Sequence, residues 1–349
     1  MKVIDQNAVL LDTSNMTQYQ IIEKVGRTCY KSEDKITDDS ARKFVASLVK
    51  SGHHAMIEFG FIYLKLTEID FHEWFVTNKP AFIHNIDNYV VGNMRAFYDW
   101  YKGLLDGKWF FGPDADQDGF IDLLQTLSMA YPEVYKDLYD KIHEKFELAF
   151  DDSDCPDLKE VNYPFRLMRA EEFYADYKQS GCIPNLLKYI TPHIVMFRTN
   201  RGVSHELVRH RLCSFAMEST RYCNYGKKKF GGEITVIAPC LSDTGDTGSI
   251  RARNFIWEHG MEEAERNYLR LLEFGATPEQ ARDLLPNAVK ADLWVCAFED
   301  EWDHILNLRM RGTTGAPHPQ IKQLMEIAYP QLITASNGRL LTKQNKEEK

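Results

Sequence analysis

The stretch 189–215, YITPHIVMFRTNRGVSHELVRHRLCSF, changes its periodicity midway, and that change decides the fold. Its first half is a run of β-branched, aromatic and other apolar residues of the kind that forms a strand. In its second half Val203, Leu207, Val208 and Leu212 recur at helical spacing behind Ser204, which reads as a helix start, with the helix continuing toward Phe215. The densest charge in the chain sits at this strand-to-helix junction: Arg209-His210-Arg211, then Ser219, Thr220 and Arg221.

Working outward, residues 38–51 have acidic and hydroxyl residues at the start, apolar Phe44, Val45, Leu48 and Val49 on one side and Gly52 as a stop, which predicts a helix. The run FGFIYLKLTEI from Phe59 predicts a strand. Downstream, GEITVIAP reads as a short strand and Ser249 to Phe274 as a long helix. Thr277-Pro278-Glu279-Gln280 reads as a capping box with proline at the first helical position. A strand AVKADLWVCAF, a helix EDEWDHILNLRMR and a last helix PHPQIKQLMEIA close the pattern. Residues 70–185 read as a largely helical insertion, broken by GPDADQDG and DDSDCPD. The fold class expected is α+β, as one catalytic domain over 1–335 that includes the insertion, with residues 336–349 a disordered tail.

Composition narrows the function. With 349 residues, 44% hydrophobic and 27% charged, the chain can bury a substantial core. No apolar stretch is long enough for a membrane span and the N-terminus lacks a signal-peptide pattern, so a cytoplasmic protein without a membrane partner is expected. The seven cysteines are odd in number and contain no C-x-x-C pair, which points away from a disulfide framework and from zinc; no metal site is expected. A net charge of −9 opposes nucleic-acid binding in general, so an anionic ligand needs a local arginine cluster.

Arg209-His210-Arg211 is the candidate. Arginine grips phosphate through a planar fork, and free backbone N–H groups in a turn add donors. The alternative is a solvated basic face, and composition alone leaves both open. Arg282 and Arg309 stand in similar settings, each an anion ligand or a helix C-terminal charge. No Gly-rich phosphate loop is present, so a dinucleotide would be held without a Rossmann domain.

The string RHRLCSFAMESTRY resembles the R-H-R-x7-S signature of the ThyX family, the flavin-dependent thymidylate synthases. RTCYKS at 27–32, SGHHAMIEF at 51–59, ARDLLP at 281–286, and EWDHILNLR with APHPQIKQL over 301–324 follow in the family's order. The resemblance implies a sheet flanked by helices, assembled as a homotetramer with active sites between subunits. It implies FAD as cofactor, NADPH to reduce it, methylenetetrahydrofolate as carbon donor and dUMP as the substrate converted to dTMP.

By position it implies FAD contacts at His53, Arg209, His210, Arg211 and His304. It implies dUMP contacts at Glu206, Arg209, Ser219, Thr220, Arg221, Arg282 and Arg309, with Arg309 the catalytic, activating arginine beside the uracil and no cysteine nucleophile. The chain departs from the family pattern at Ala216-Met217, where Asn-Glu or Ser-Gln is usual, and at Phe298-Glu299-Asp300, where an Asn-x-Arg is usual. An Asn-x-Arg occurs upstream, so Asn93 and Arg95 are candidate flavin contacts, against the plainer reading of Asn93 as a helix cap. Two other functions are compatible with the residues: flavin-dependent hydroxymethylation of a pyrimidine nucleotide, and a non-enzymatic nucleic-acid-binding module.

Overall fold

The computed structural model describes residues 1–108, 117–146, 163–241 and 244–340. The chain begins with β1 (Lys2–Ile4), β2 (Asn7–Leu10), α1 (Gln18–Tyr30) and α2 (Ser40–Lys50), and continues through β3 (Phe61–Leu66), α3 (Ile69–Asn78), β4 (Ile83–Ile86) and β5 (Tyr89–Asn93). Next come α4 (Met94–Leu105), α5 (Gln117–Ala130), α6 (Pro132–Phe146), β6 (Phe165–Met168) and α7 (Ala170–Gln179). The remainder is β7 (Pro192–Asn200), α8 (Arg201–Leu207), β8 (Ser214–Met217), β9 (Thr235–Ile237), α9 (Thr247–Glu273), α10 (Pro278–Ala281), β10 (Lys290–Phe298), α11 (Glu299–Leu306) and α12 (Pro319–Ala335). Helices and mainly antiparallel strands are mixed, as the α+β expectation has it. None of the helices among the described residues is long and apolar enough to cross a membrane.

The chain forms two compact units, one of Met1–Asp12, Lys24–Ile36 and Pro192–Lys349, the other of Thr13–Glu23 and Thr37–Thr191. The sequence reading placed one domain with a helical insertion at 70–185. The second unit starts earlier and has its own antiparallel sheet, in the order β4-β5-β3-β6. The period-2 signal of these strands was hidden because β4, β5 and β6 are only four or five residues long, and β5 is buried on both faces. Their core includes Ile62, Leu64, Phe71, Phe75, Val90 and Phe97 under α3, α4 and α5. Part of GPDADQDG and all of DDSDCPD lie outside the described residues.

The first unit is built on the sheet β2-β7-β10-β8, with a separate parallel pair β1-β9. Strand β10, KADLWVCAF, is buried almost throughout because β7 and β8 pair with it on either side. Val195, Phe197, Leu293 and Val295 from this sheet pack on Trp302, Ile305, Leu324 and Met325 from α11 and α12. Burying a side chain of this size contributes about 1.5–3 kcal/mol.

Two local expectations are corrected here. Helix α8 starts at Asn200, whose Oδ1 accepts from the Val203 N–H at 2.7 Å, whereas Ser204 lies inside the helix and bonds back to the Arg201 carbonyl. Asparagine at the strand end wins because it caps α8 while its amide donates to Gln320 at 2.7 Å. The helix also ends at Leu207 instead of running toward Phe215, because Ser214–Met217 pair with β10. The tail expectation is corrected for residues 336–340: Ser336 and Leu340 are buried, Leu340 in the core beneath α12. Residues 341–349 lie outside the described residues.

Candidate active site

Because α8 stops at Leu207, Arg209-His210-Arg211 forms a turn, closed by the His210 N–H on the Leu207 carbonyl at 3.1 Å and the Cys213 N–H on the His210 carbonyl. The middle residue points inward and the outer two point out: His210 is buried, while Arg209 and Arg211 are exposed and carry no ion pair among the described residues. Two guanidinium groups on one turn, with no carboxylate partner, leave a local positive charge in a protein of net charge −9.

Arg309 reaches the same turn from the last part of the α11 region. There the helix widens into a π-helical turn, Asn307–Arg311, ended by Gly312 at φ 70°. A Cβ at Gly312 would come within 3.0 Å of the Gly315 carbonyl oxygen, so glycine is required twice over. Such widened turns recur at functional sites because they re-aim side chains. Arg309 Nε donates to His210 Nε2 at 3.2 Å, Nη1 to Glu206 Oε2 at 3.3 Å and Nη2 to the Glu206 carbonyl at 3.2 Å. His210 Nδ1 lies 3.4 Å from Glu301 Oε1, and the His304 ring is edge-on to His210 at 5.6 Å between centroids.

Expected site residues Glu206, Arg209, His210, Arg211, His304 and Arg309 are thus brought together. His210, Glu301 and His304 also place donor atoms within 4.8 Å of one another, but the fixed charge of Arg309 against His210 makes this a poor seat for a cation.

Ser219, Thr220 and Arg221 follow β8. The Ser219 N–H bonds to the Cys29 carbonyl, Thr220 is buried, and Arg221 is exposed and pairs with Glu279 at 3.3 Å. Both members of that pair are more than half exposed, so it adds little and can yield to a phosphate. The capping box at Thr277 forms as expected and leads into a 3₁₀ turn, Arg282–Leu284. Arg282 has no ion pair among the described residues.

Beside Ser219 lies a cluster that sequence reading missed. Glu218 and Asp292 are both buried, Asp292 as the third residue of β10. Lys290 bonds to both, Lys31 lies 2.6 Å from Asp292 and 3.2 Å from Glu218, Arg198 Nε bonds to Asp292 at 2.8 Å, and the Tyr225 hydroxyl donates to Glu218 at 2.9 Å. Burial pushes the Asp292 carboxyl up, but Lys290, Arg198 and Lys31 more than offset it and hold it well below the ordinary carboxylate value. Burial lowers Lys31, and Glu218 with Asp292 reverse this to raise it. A charge inside the apolar string of β10 was the available signal, since a buried carboxylate implies cations packed around it.

Ala216, Met217 and Glu299, at the departures from the family pattern, are taken up by packing and pairing. Ala216 is buried and Met217 packs on the main core, so neither presents a polar group. Glu299 is fully buried and clamped by Arg339 through two bonds of 2.7 Å and by His193 at 2.8 Å. Burial pushes the Cys29 and Cys223 thiols up to about 12, and Cys213 higher still, so these three stay protonated near neutrality.

His53, Asn93 and Arg95 belong to the second unit. His53 is exposed ahead of a 3₁₀ turn, Asn93 Oδ1 caps α4 by accepting from Ala96 at 2.8 Å, and Arg95 is held by Glu58 at 2.6 Å and Asp99 at 3.1 Å. The capping reading of Asn93 accounts for its side-chain oxygen.

Residues 186–335 match the family model described as thymidylate synthase complementing protein. The chain is similar to the flavin-dependent thymidylate synthase of Geobacter sulfurreducens, 30% identical over 110 residues, which are 32% of this chain and 44% of that protein. It is also similar to the one from Sulfurisphaera tokodaii, 32% identical over 111 residues, 32% of this chain and 39% of that protein. The chain spans about half the length or less of these curated relatives. Among solved structures, a UMP/dUMP methylase, PolB, from Streptomyces cacaoi bound with 5-Br dUMP aligns over 97% of this chain and 96% of that one, at 14% identity and a TM-score of 0.41. The resemblance to the ThyX family read from the R-H-R-x7-S string holds over the matched segment.

Proposed function

We propose that this chain is a flavin-dependent thymidylate synthase, a methyltransferase that forms dTMP from dUMP with methylenetetrahydrofolate as carbon donor and NADPH as reductant of FAD. The observation that carries this reading is the turn Arg209–Arg211, with two arginines that have no ion pair among the described residues flanking a buried histidine that Arg309 holds, inside the matched segment. The donor set fits a dinucleotide and a nucleotide monophosphate: both are anions, and arginine forks with turn N–H groups bind them without a Gly-rich loop.

In this reading Arg209, His210, Arg211 and His304 hold FAD, and Ser219, Thr220, Arg221 and Arg282 hold dUMP, Arg282 from a neighbouring subunit of a homotetramer with the ThyX arrangement. FAD, when bound and reduced, supplies the hydride chemistry. Arg309 places a fixed cation beside the uracil and stabilises negative charge that develops there. Glu206 orients it through two bonds. No thiol is needed as nucleophile, in keeping with the raised Cys29, Cys213 and Cys223.

Reconstitution of the purified chain with FAD tests the class. A flavin absorbance band that stays with the protein through gel filtration is expected, and its absence would overturn the reading. Colourless protein retained on DNA at moderate salt would instead favour the nucleic-acid module, which the net charge of −9 opposes.

A further inference from the structure

Glu301 was assigned no role by the sequence, and the family resemblance supplies none. It sits in the first turn of α11 with its side chain largely covered, and Oε1 is 3.4 Å from His210 Nδ1. On the opposite side of the same imidazole, Nε2 lies 3.2 Å from Arg309 Nε. Arginine is a donor only and does not deprotonate, so its Nε–H requires a bare lone pair on His210 Nε2. A neutral imidazole with Nε2 bare carries its proton on Nδ1, the nitrogen 3.4 Å from Glu301 Oε1. Arg309 therefore donates into His210, and the Nδ1 proton is left on the side where the Glu301 carboxylate lies.

We infer that Glu301 is a positioning residue: it fixes the Nδ1–H tautomer of His210, so that Nε2 accepts from Arg309 and aims the guanidinium. The inference rests on the proposed function for what Arg309 does, but the tautomer itself does not depend on it. Arg309 has five N–H groups. Three of its bonds are made to His210 and Glu206, which leaves two N–H groups unassigned among the described residues. The bonds to His210 and Glu206 fix which edge of the fork those two present. With the other tautomer, Nε2–H would meet Arg309 Nε–H donor to donor, and the guanidinium would turn away. Which nitrogen of a histidine carries the proton is set by the bond made at the other one.

The groups facing His210 are Arg309 from the π-helical turn, Glu301 and His304 from α11, and Glu206 through Arg309 from α8. Of these, Glu301 is the carboxylate that lies within ion-pair distance of Nδ1 among the described residues. A seat for a divalent cation is the competing reading of the same three side chains, and the Arg309 bond to Nε2 argues against it.

The test uses the full chain with ¹⁵N-labelled histidine, the His210 signals identified by their loss in His210→Gln. Spectra are taken for the wild type, Glu301→Gln and Glu301→Ala. The wild type is expected to show Nδ1 protonated and Nε2 bare. Glu301→Gln, the same length with an oxygen still available, is expected to keep that tautomer, and Glu301→Ala to give a mixture. Turnover with dUMP is expected to fall about tenfold or more in Glu301→Ala, the range seen where an outer partner orients a histidine, with the KM for dUMP within about twofold and with Glu301→Gln restoring much of the loss. A wild-type His210 protonated on Nε2, or an unchanged tautomer in Glu301→Ala, overturns the proposal whatever the turnover does. If no dTMP forms in any variant, the proposed function fails while the tautomer result still decides the role of Glu301.

Discussion

Two charged clusters of the first unit both combine cations with carboxylates and behave in opposite ways. Around Asp292 and Glu218 every charge is answered: Lys31, Lys290 and Arg198 surround two buried carboxylates, and Tyr225 takes a remaining acceptor position. Around His210 the inner layer is answered, by Arg309, Glu206 and Glu301, but Arg209 and Arg211 are exposed and carry no ion pair among the described residues. A self-satisfied cluster holds the sheet together; a cluster with unanswered cations has capacity for an anion. Both border the same signature segment, so charge density alone does not separate structure from site. The separating quantity is whether the donors already have acceptors.

The contrast predicts its largest effect at Asp292. Asp292→Ala leaves Lys290, Lys31 and Arg198 without their shared acceptor, and removing one partner of a buried ion pair costs about 3–5 kcal/mol. A shift of the urea midpoint corresponding to less than about 1 kcal/mol would show that the cluster is wet and weak. Arg309→Lys comes next and acts on rate. Charge is kept but the fork is lost, so turnover is expected to fall by about 10²–10³ while dUMP binding weakens less. An intact turnover number with only KM raised would make Arg309 a binding residue.

The acid limb of stability is a smaller effect with a fixed sign. Asp292 is held below its ordinary value, so its contribution is fully present above about pH 4, the unfolded carboxylate pKa, and is lost as pH falls toward the lower folded value. Asp292→Asn is therefore expected to flatten stability against pH below about pH 4 compared with the wild type; an unchanged acid limb would exclude the cluster as its cause. The smallest change in stability is expected for Arg209→Ala and Arg211→Ala, within about 0.5 kcal/mol because both are exposed and have no ion pair among the described residues. Yet each is expected to weaken FAD binding about tenfold or more, since a bond to a charged group contributes about 1.5–3 kcal/mol. Destabilised variants with unchanged flavin affinity would reverse the roles of the two clusters.

Long periodic elements were legible in the sequence: α2 with its Gly52 stop, the strands β7 and β10, the capped turn at Thr277 and the helix α12 all lie where the pattern put them. The second unit was not. Strands β4, β5 and β6 are four or five residues long, too short to show a clear period of two, and were absorbed into a stretch read as largely helical. At the site, Arg209, His210, Arg211 and Arg309 could be picked by motif, but the motif was placed on a helix that ends two residues before it. The pull of β10 on Ser214–Met217, a tertiary pairing, ended that helix early. Glu301, Lys31 and Lys290 carried no local signal, because their roles depend on partners as far as 261 residues away in the sequence.

The central claim is that the unanswered cations of the Arg209–Arg211 turn serve a flavin and a pyrimidine nucleotide. The most direct test incubates the purified chain with FAD, NADPH, methylenetetrahydrofolate and dUMP and determines the mass of the nucleotide product. Conversion of dUMP to dTMP, dependent on FAD and abolished or strongly reduced in Arg309→Ala, is the predicted result. Recovery of dUMP unchanged from flavin-loaded protein, or of a hydroxymethyl nucleotide in place of dTMP, would contradict it.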